Sequence, residues 1–360
     1  MRNVSYQDIE HINCIEALDF PSYCKTHELA WGELHRAGYH TGISHLHHFY
    51  TKRNFLVMSY LWEKATSFPE QICNALRLLL LSYNATHSTL MTRVVVKKNS
   101  KDFVLTGAQS GVLYISSLPV EKNILTGIER KQKNFADVFD FLEKHNGQIE
   151  VYNTSSRKLL QESESVDYIF TDPPFGDFIP YAEVNQINEL WIGKATDRSE
   201  EIIISTSQGK GVSEYQEMLT DVFAEMKRVL KKNSHATVVF HSSKASVWKA
   251  LCGAYTSAGF AVDETASLDK SQASFKQVVS YGSVQGDPLI LLSKGNGLTS
   301  SRSSITVLDE IISAEPEKAN GCARKIYSNY IGECLKQGIT VDCDARTAYA
   351  YVAKKAGAMV

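Results

Sequence analysis

Residues 166–176 read VDYIFTDPPFG. Val166, Tyr168, Ile169 and Phe170 are β-branched or aromatic and predict a strand, and the strand runs straight into Asp172-Pro173-Pro174. Consecutive prolines fix φ and cannot donate ladder hydrogen bonds, so the chain must leave the sheet in a stiff loop with its carbonyls turned outward. Upstream, IEVYN (149–153) predicts another strand. Downstream come a helix over 214–230, a strand over 235–242 (HATVVFHS), a helix over 245–259 and a strand over 260–268 (FAVDETASL). Strands alternating with helices imply parallel pairing through right-handed crossovers, hence an α/β sheet. The proline loop then lies at the C-terminal edge of that sheet, where α/β folds place ligands. The last pair, FKQVVSYGS (275–283) and DPLILLSK (287–294), is separated by Gln285 and Gly286 and predicts an antiparallel hairpin that closes the sheet.

Residues 1–50 are polar, rich in His and Tyr, and irregular in pattern. Thr51 can cap a helix whose apolar positions Phe55, Met58, Leu61 and Trp62 recur at helical spacing, and that helix should stop before Pro69. ICNALRLLLLSY (72–83) predicts a buried helix, RVVVKK (93–98) and GVLYIS (111–116) predict strands, and FADVFDFLEKH (135–145) a helix closed by Asn146 and Gly147. GNGLTSSRSS (295–304) is a Gly/Ser linker, and 305–360 reads as a small helical addition. The expected division is therefore an N-terminal segment 1–50, a central domain 51–294 and a C-terminal helical segment 305–360.

The chain has 360 residues and a formal net charge of −2, so any contact with phosphate must come from local basic patches. Candidates are Arg93, Lys97, Lys98 and Lys101, and then Arg130, Lys131 and Lys133; each cluster reads equally well as a solvated face. Seven cysteines without a Cys-x-x-Cys pair suit a reducing compartment, and Cys14 and Cys24 with His45, His47 and His48 match no familiar zinc spacing. No metal is expected. Without a run of ~18 apolar residues or a basic-apolar leader, neither a membrane span nor a signal peptide is expected, which points to the cytoplasm.

A loop of this kind suits one chemistry. An exocyclic base amine is a poor nucleophile because its lone pair is delocalised into the ring. Acceptors for both N–H groups let the nitrogen pyramidalise toward a methyl donor. The Asp172 carboxylate and the Pro173 carbonyl can supply one each, and Phe175 can stack on a base held out of its duplex. The plain alternative is a proline-stiffened turn with Asp172 as a cap.

The segments 170–193, 228–251 and 258–278, with upstream pieces at 47–62 and 113–123, resemble in their order a bacterial family of large site-specific adenine-type DNA methylases. The family belongs to the DNA amino-methyltransferases, whose motif reads Asp-Pro-Pro-Tyr or Asp-Pro-Pro-Phe. This resemblance implies a Rossmann-like S-adenosylmethionine methyltransferase sheet and methyl transfer to a flipped base in DNA, adenine N6 in preference to cytosine because the motif opens with Asp. Asp172, Pro173, Pro174 and Phe175 would be the catalytic loop. Thr171 with Asn153, Thr154 and Ser155 would face the donor; the latter three read equally as a turn or helix cap. Gly176, Tyr181, Glu183, Asn185 and Lys276, the last with Gln277 beside it, would line the substrate side; Tyr181, Glu183 and Asn185 read nearly as well as solvated polar residues at a helix N-terminus, and Lys276 as a strand-edge lysine. Thr51, Lys52 and Arg53 only faintly resemble the family's Thr-x-Lys element.

One feature of the family is missing. The Gly-rich turn that lets backbone approach the methionine part of the donor is not found: LTGAQSG (105–111) has the wrong spacing and SYGSVQG (280–286) lies too late. The sheet is therefore expected to be incomplete in its N-terminal half. A split enzyme with a second polypeptide, a fragment of a longer protein and an atypical donor loop all remain open. So do two other functions, methylation of guanine N2 in RNA and a catalytically silent nucleic-acid-binding subunit.

Overall fold

The computed structural model describes residues 3–96, 103–108, 110–117, 119–145, 147–268, 287–314 and 323–357. It is a mixed α/β structure that divides into two compact units, one made of Met1–Val151 with Pro180–Glu201, the other of Tyr152–Ile179 with Ile202–Val360.

The first unit is mainly helical. It contains α1 (Tyr6–Glu16), α2 (Ala37–His40), α3 (Lys52–Ala65), α4 (Glu70–Leu81), α5 (Asn84–His87), α6 (Ile124–Glu143) and α7 (Tyr181–Ile192), with the antiparallel pair β1 (Thr92–Val96) and β2 (Phe103–Ala108). Thr51 caps α3 as its sequence predicts, accepting from the Asn54 N–H at 3.2 Å. Phe49, Phe55, Met58, Leu80, Leu90, Leu113, Ile187 and Leu190 share one core. The strand expected at GVLYIS is instead a short 3-10 turn over Ser110–Val112 and a single bridge from Leu90 to Ile115. Helix α6 begins eleven residues before the expected FADVFDFLEKH, because Asn123 caps Thr126 at 3.1 Å and Gly127 is accommodated against His87.

In the second unit a four-stranded sheet has the order β3 (Val166–Thr171), β4 (Leu230–Val239), β6 (Asp287–Lys294), β5 (Phe260–Leu268). β3 and β4 are parallel, and β6 runs antiparallel to both β4 and β5. Helices α8 (Val212–Val229) and α9 (Ala245–Ser257) connect β3 to β4 and β4 to β5. Tyr215, Leu219, Phe223 and Met226 recur on the buried face of α8, and Val247, Trp248, Leu251 and Tyr255 on that of α9, at the 3–4-residue spacing of an amphipathic helix. Each such fully buried side chain contributes about 1.5–3 kcal/mol relative to exposure.

The sheet departs from its sequence reading in one place, and a second expectation lies outside the described residues. IEVYN forms no strand: Ile149 and Val151 are 79 % and 89 % exposed. An edge strand needs a pairing partner, and among the described residues no strand pairs with this segment. The expected hairpin partner 275–283 lies outside the described residues, and both edges of β6 are taken, by β4 (Val239↔Leu289) and β5 (Leu268↔Asp287). The antiparallel closure is thus made between β5 and β6.

Residues after the linker form α10 (Ser304–Ala314), α11 (Ala323–Lys336) and α12 (Ala345–Gly357). They carry Val307, Leu308, Ile326, Tyr327, Tyr330, Ile331 and Tyr349 into the same core as the sheet. Among the described residues no helix is long and apolar enough to cross a membrane.

Candidate functional site

β3 delivers the loop 172–178 to the C-terminal edge of the parallel pair. Thr171 pairs with Val238 and is half-buried, Asp172 is exposed, and Pro173 is buried. The loop is clamped from several sides. The Tyr215 hydroxyl on α8 donates to the carbonyl of Pro174, which leaves the Pro173 carbonyl, one residue back, outside that clamp. The Ile204 N–H donates to the Gly176 carbonyl at 3.2 Å. Gly176 has φ +69°, and a Cβ there would sit 2.9 Å from Val247 Cγ2 on α9, so both backbone and space call for glycine. Asp177 pairs with Lys244 Nζ at 2.5 Å.

The aromatic residues of the loop divide in an unexpected way. Phe175 is packed rather than presented: its ring meets Phe240 edge-on at 5.4 Å and joins the second unit's core. Phe178, by contrast, is 44 % exposed. The structure also brings to the loop two residues that the sequence did not single out. His241, just past β4, has its ring 6.0 Å from Phe175 and 6.3 Å from Phe178. Its Nδ1 lies 3.1 Å from an Asp287 carboxylate oxygen at the start of β6, close but without hydrogen-bond alignment. A histidine ending a predicted strand was the available signal for His241; its approach to Asp287 is tertiary.

On the expected donor side, Asn153, Thr154 and Ser155 lie on an exposed stretch that follows the unformed IEVYN strand. Ser155 closes a turn, its hydroxyl accepting from the Arg157 N–H at 3.3 Å and its carbonyl from the Lys158 N–H at 3.0 Å, and further along Arg157 pairs with Asp221 at 2.7 Å and the Leu159 N–H donates to Glu225 at 2.9 Å. Arg228 beside Glu225 holds that carboxyl down at about 2.

Tyr181, Glu183 and Asn185 lie on α7, which belongs to the first unit. Tyr181 and Asn185 are exposed. Glu183 is buried: one carboxylate oxygen accepts from the Leu34 N–H at 2.6 Å, the other lies 3.4 Å from Arg198, and burial raises its pKa. Gln186 on the same helix both accepts from and donates to the Ala30 backbone. Glu183 and Gln186 therefore hold residues 30–34 in place within that unit.

Lys276 and Gln277 lie outside the described residues, as do Lys97, Lys98 and Lys101. Arg130 donates to the Thr126 carbonyl on α6, and Lys131 lies 5.8 Å from the Tyr83 ring. Thr51, Lys52 and Arg53 serve the first unit: Thr51 caps α3, Lys52 donates to the Glu16 carbonyl, and Arg53 pairs with Glu121 at 2.6 Å. Among the described residues no group of three His, Cys, Asp or Glu side chains is arranged to hold a metal. Comparison with known proteins finds no family model that matches the chain and no curated protein that matches it.

Proposed function

We propose that the second unit carries the amine-orienting half of a methyltransferase site that acts on an exocyclic amino group of a base in DNA, namely N6 of adenine. The observation that carries this reading is the clamped Asp172-Pro173-Pro174 loop at the C-terminal edge of a parallel strand pair. Asp172 and the Pro173 carbonyl accept one N–H of the amine each, which concentrates the nitrogen lone pair for attack. Tyr215 fixes the loop by taking the neighbouring carbonyl, so the acceptors are held before a base arrives. The strand DPLILLSK, read from the sequence as closing the sheet, runs antiparallel to β4 and β5 as β6.

S-adenosylmethionine, when bound, supplies the methyl group. The described residues fit the amine half of the site and not the donor half: Asn153–Ser155 stand on exposed chain, and no glycine-rich turn is present in the sequence. No donor contact is therefore assigned to this chain. A second polypeptide that brings such a turn would complete the site, and β3, paired among the described residues with β4 alone, offers the edge for it.

The test is methyl transfer from labelled S-adenosylmethionine by the chain, with and without proteins co-purified from its own cells, to DNA and to transfer RNA. Label recovered as N6-methyladenine in DNA supports the reading. Label found only as N2-methylguanine in RNA replaces it with the RNA activity, and no label in any combination removes the enzymatic reading.

A further inference from the structure

We propose that His241, oriented by Asp287, is a positioning residue of the loop 172–178 site: the carboxylate fixes which imidazole nitrogen carries the proton, and the imidazole, packed beside Phe175, sets the exposed ring of Phe178 against which a planar base lies. The proposal rests on the base-methylation reading and names the groups that hold the base.

Both members sit on fixed backbone at the loop's edge of the sheet. His241 follows Phe240, whose N–H donates to the Pro288 carbonyl at 3.1 Å, so the ends of β4 and β6 are tied together beside the pair. The Ser242 carbonyl accepts from the Trp248 indole N–H at 3.0 Å, which pins the chain on the far side of His241. The side chains are 17 % and 10 % exposed, and the Nδ1···Oδ1 separation is 3.1 Å. An ionised carboxylate only accepts, so a small rotation of the ring aligns an Nδ1–H with it and leaves the Nε2 lone pair on the other edge. The His241 ring lies beside both aromatic residues of the loop, 6.0 Å from Phe175 and 6.3 Å from Phe178.

A purely structural purpose is a poor explanation for the pair. Both side chains are mostly buried, with the His241 ring beside Phe175 and Phe178, and replacing such a pair by apolar residues of similar volume is often neutral or stabilising for the fold. A geometry of this kind is worth keeping where it fixes the direction of a ring.

The experiment uses the full chain with 15N-labelled histidine and a fluorescent single-stranded adenine oligonucleotide as probe. Long-range N–H correlation spectra should show His241 with its proton on Nδ1, the resonance being assigned by its loss in His241→Gln. In Asp287→Ala the proton should move to Nε2. Oligonucleotide affinity should fall roughly ten-fold in His241→Ala and in Asp287→Ala, and recover in part in His241→Asn, which keeps a donor toward Asp287. A wild-type Nε2–H form, or unchanged affinity in His241→Ala while Asp172→Ala still weakens binding, overturns the proposal and leaves the base reading standing. If the wild-type chain binds the adenine probe no better than an abasic one, the base reading falls and the positioning role falls with it.

Discussion

The hydroxyl of Tyr215, on α8, donates to the carbonyl of Pro174 in the loop that follows β3. Tyr215 is fully buried, so its hydroxyl has no solvent to turn to. Tyr215→Phe should therefore lower stability by about 0.5–1.5 kcal/mol, as one buried hydrogen bond lost. Urea unfolding of the two proteins measures it, and an unchanged midpoint would show that the loop is held by its prolines and core contacts alone.

Gly176→Ala should destabilise by at least about 1–2 kcal/mol, because the residue adopts φ +69° and its new methyl would meet Val247 at 2.9 Å. Val247→Ala in the same chain relieves the clash but not the backbone strain. The double variant should unfold at a higher denaturant concentration than the sum of the two single changes predicts. Strict additivity would contradict the contact.

Burial gives the first unit a pH dependence of definite sign. His87 is 2 % exposed and is held neutral, its pKa lowered to about 4 by desolvation and by the nearby charges of Lys122 and Arg130. His47 is lowered to about 4 as well, by burial and its histidine neighbours. Between pH 4 and about 6.5 the unfolded chain binds protons at these positions and the folded one does not, so stability rises with pH across that window. Thermal melts from pH 4.5 to 7 on wild type and His87→Leu should show a shallower rise in the variant.

Glu225 behaves in the opposite sense. Its carboxyl is lowered to about 2 by the hydrogen bond from Arg228 and the N–H of Leu159. The stabilisation is present above the unfolded value of ~4.3 and disappears as pH falls toward about 2. The side chain is only partly buried, at 21 % exposure, and lies at the surface, so solvent screening keeps the effect small. Glu225→Gln should differ from wild type at pH 5.5, and the difference should shrink steadily as pH falls from about 4.3 toward 2; limited proteolysis around residues 155–161 gives a local readout.

Much of the second unit was legible in its sequence. The strand into Asp172, the helices α8 and α9 and the strand 260–268 carry long regular patterns, and their tertiary environment agrees with them. IEVYN was misread because alternation marks only the capacity to pair, and pairing needs a neighbour that the described chain does not supply. GVLYIS failed for the converse reason: Leu113, fully buried at φ 51°, turns the chain within an apolar run. The helices after residue 304 carry buried faces whose partner, the sheet of the second unit, a linear reading does not reveal. Within the candidate site, the loop itself could be read from the sequence, but the meeting of His241 with Asp287 joins residues 46 positions apart and belongs to the sheet order alone.

The central claim is that Asp172 orients a base amine in DNA for methylation, and it is tested where any partner polypeptide is present. Genomic DNA from cells of the protein's own source, carrying either the wild-type gene or Asp172→Ala, is digested and its N6-methyladenine measured by mass spectrometry, with sequencing to place the modified sites. The expected result is a set of sites methylated in the wild type and unmethylated in the variant, at equal protein abundance. Identical methyladenine content and identical sites in both would contradict the claim.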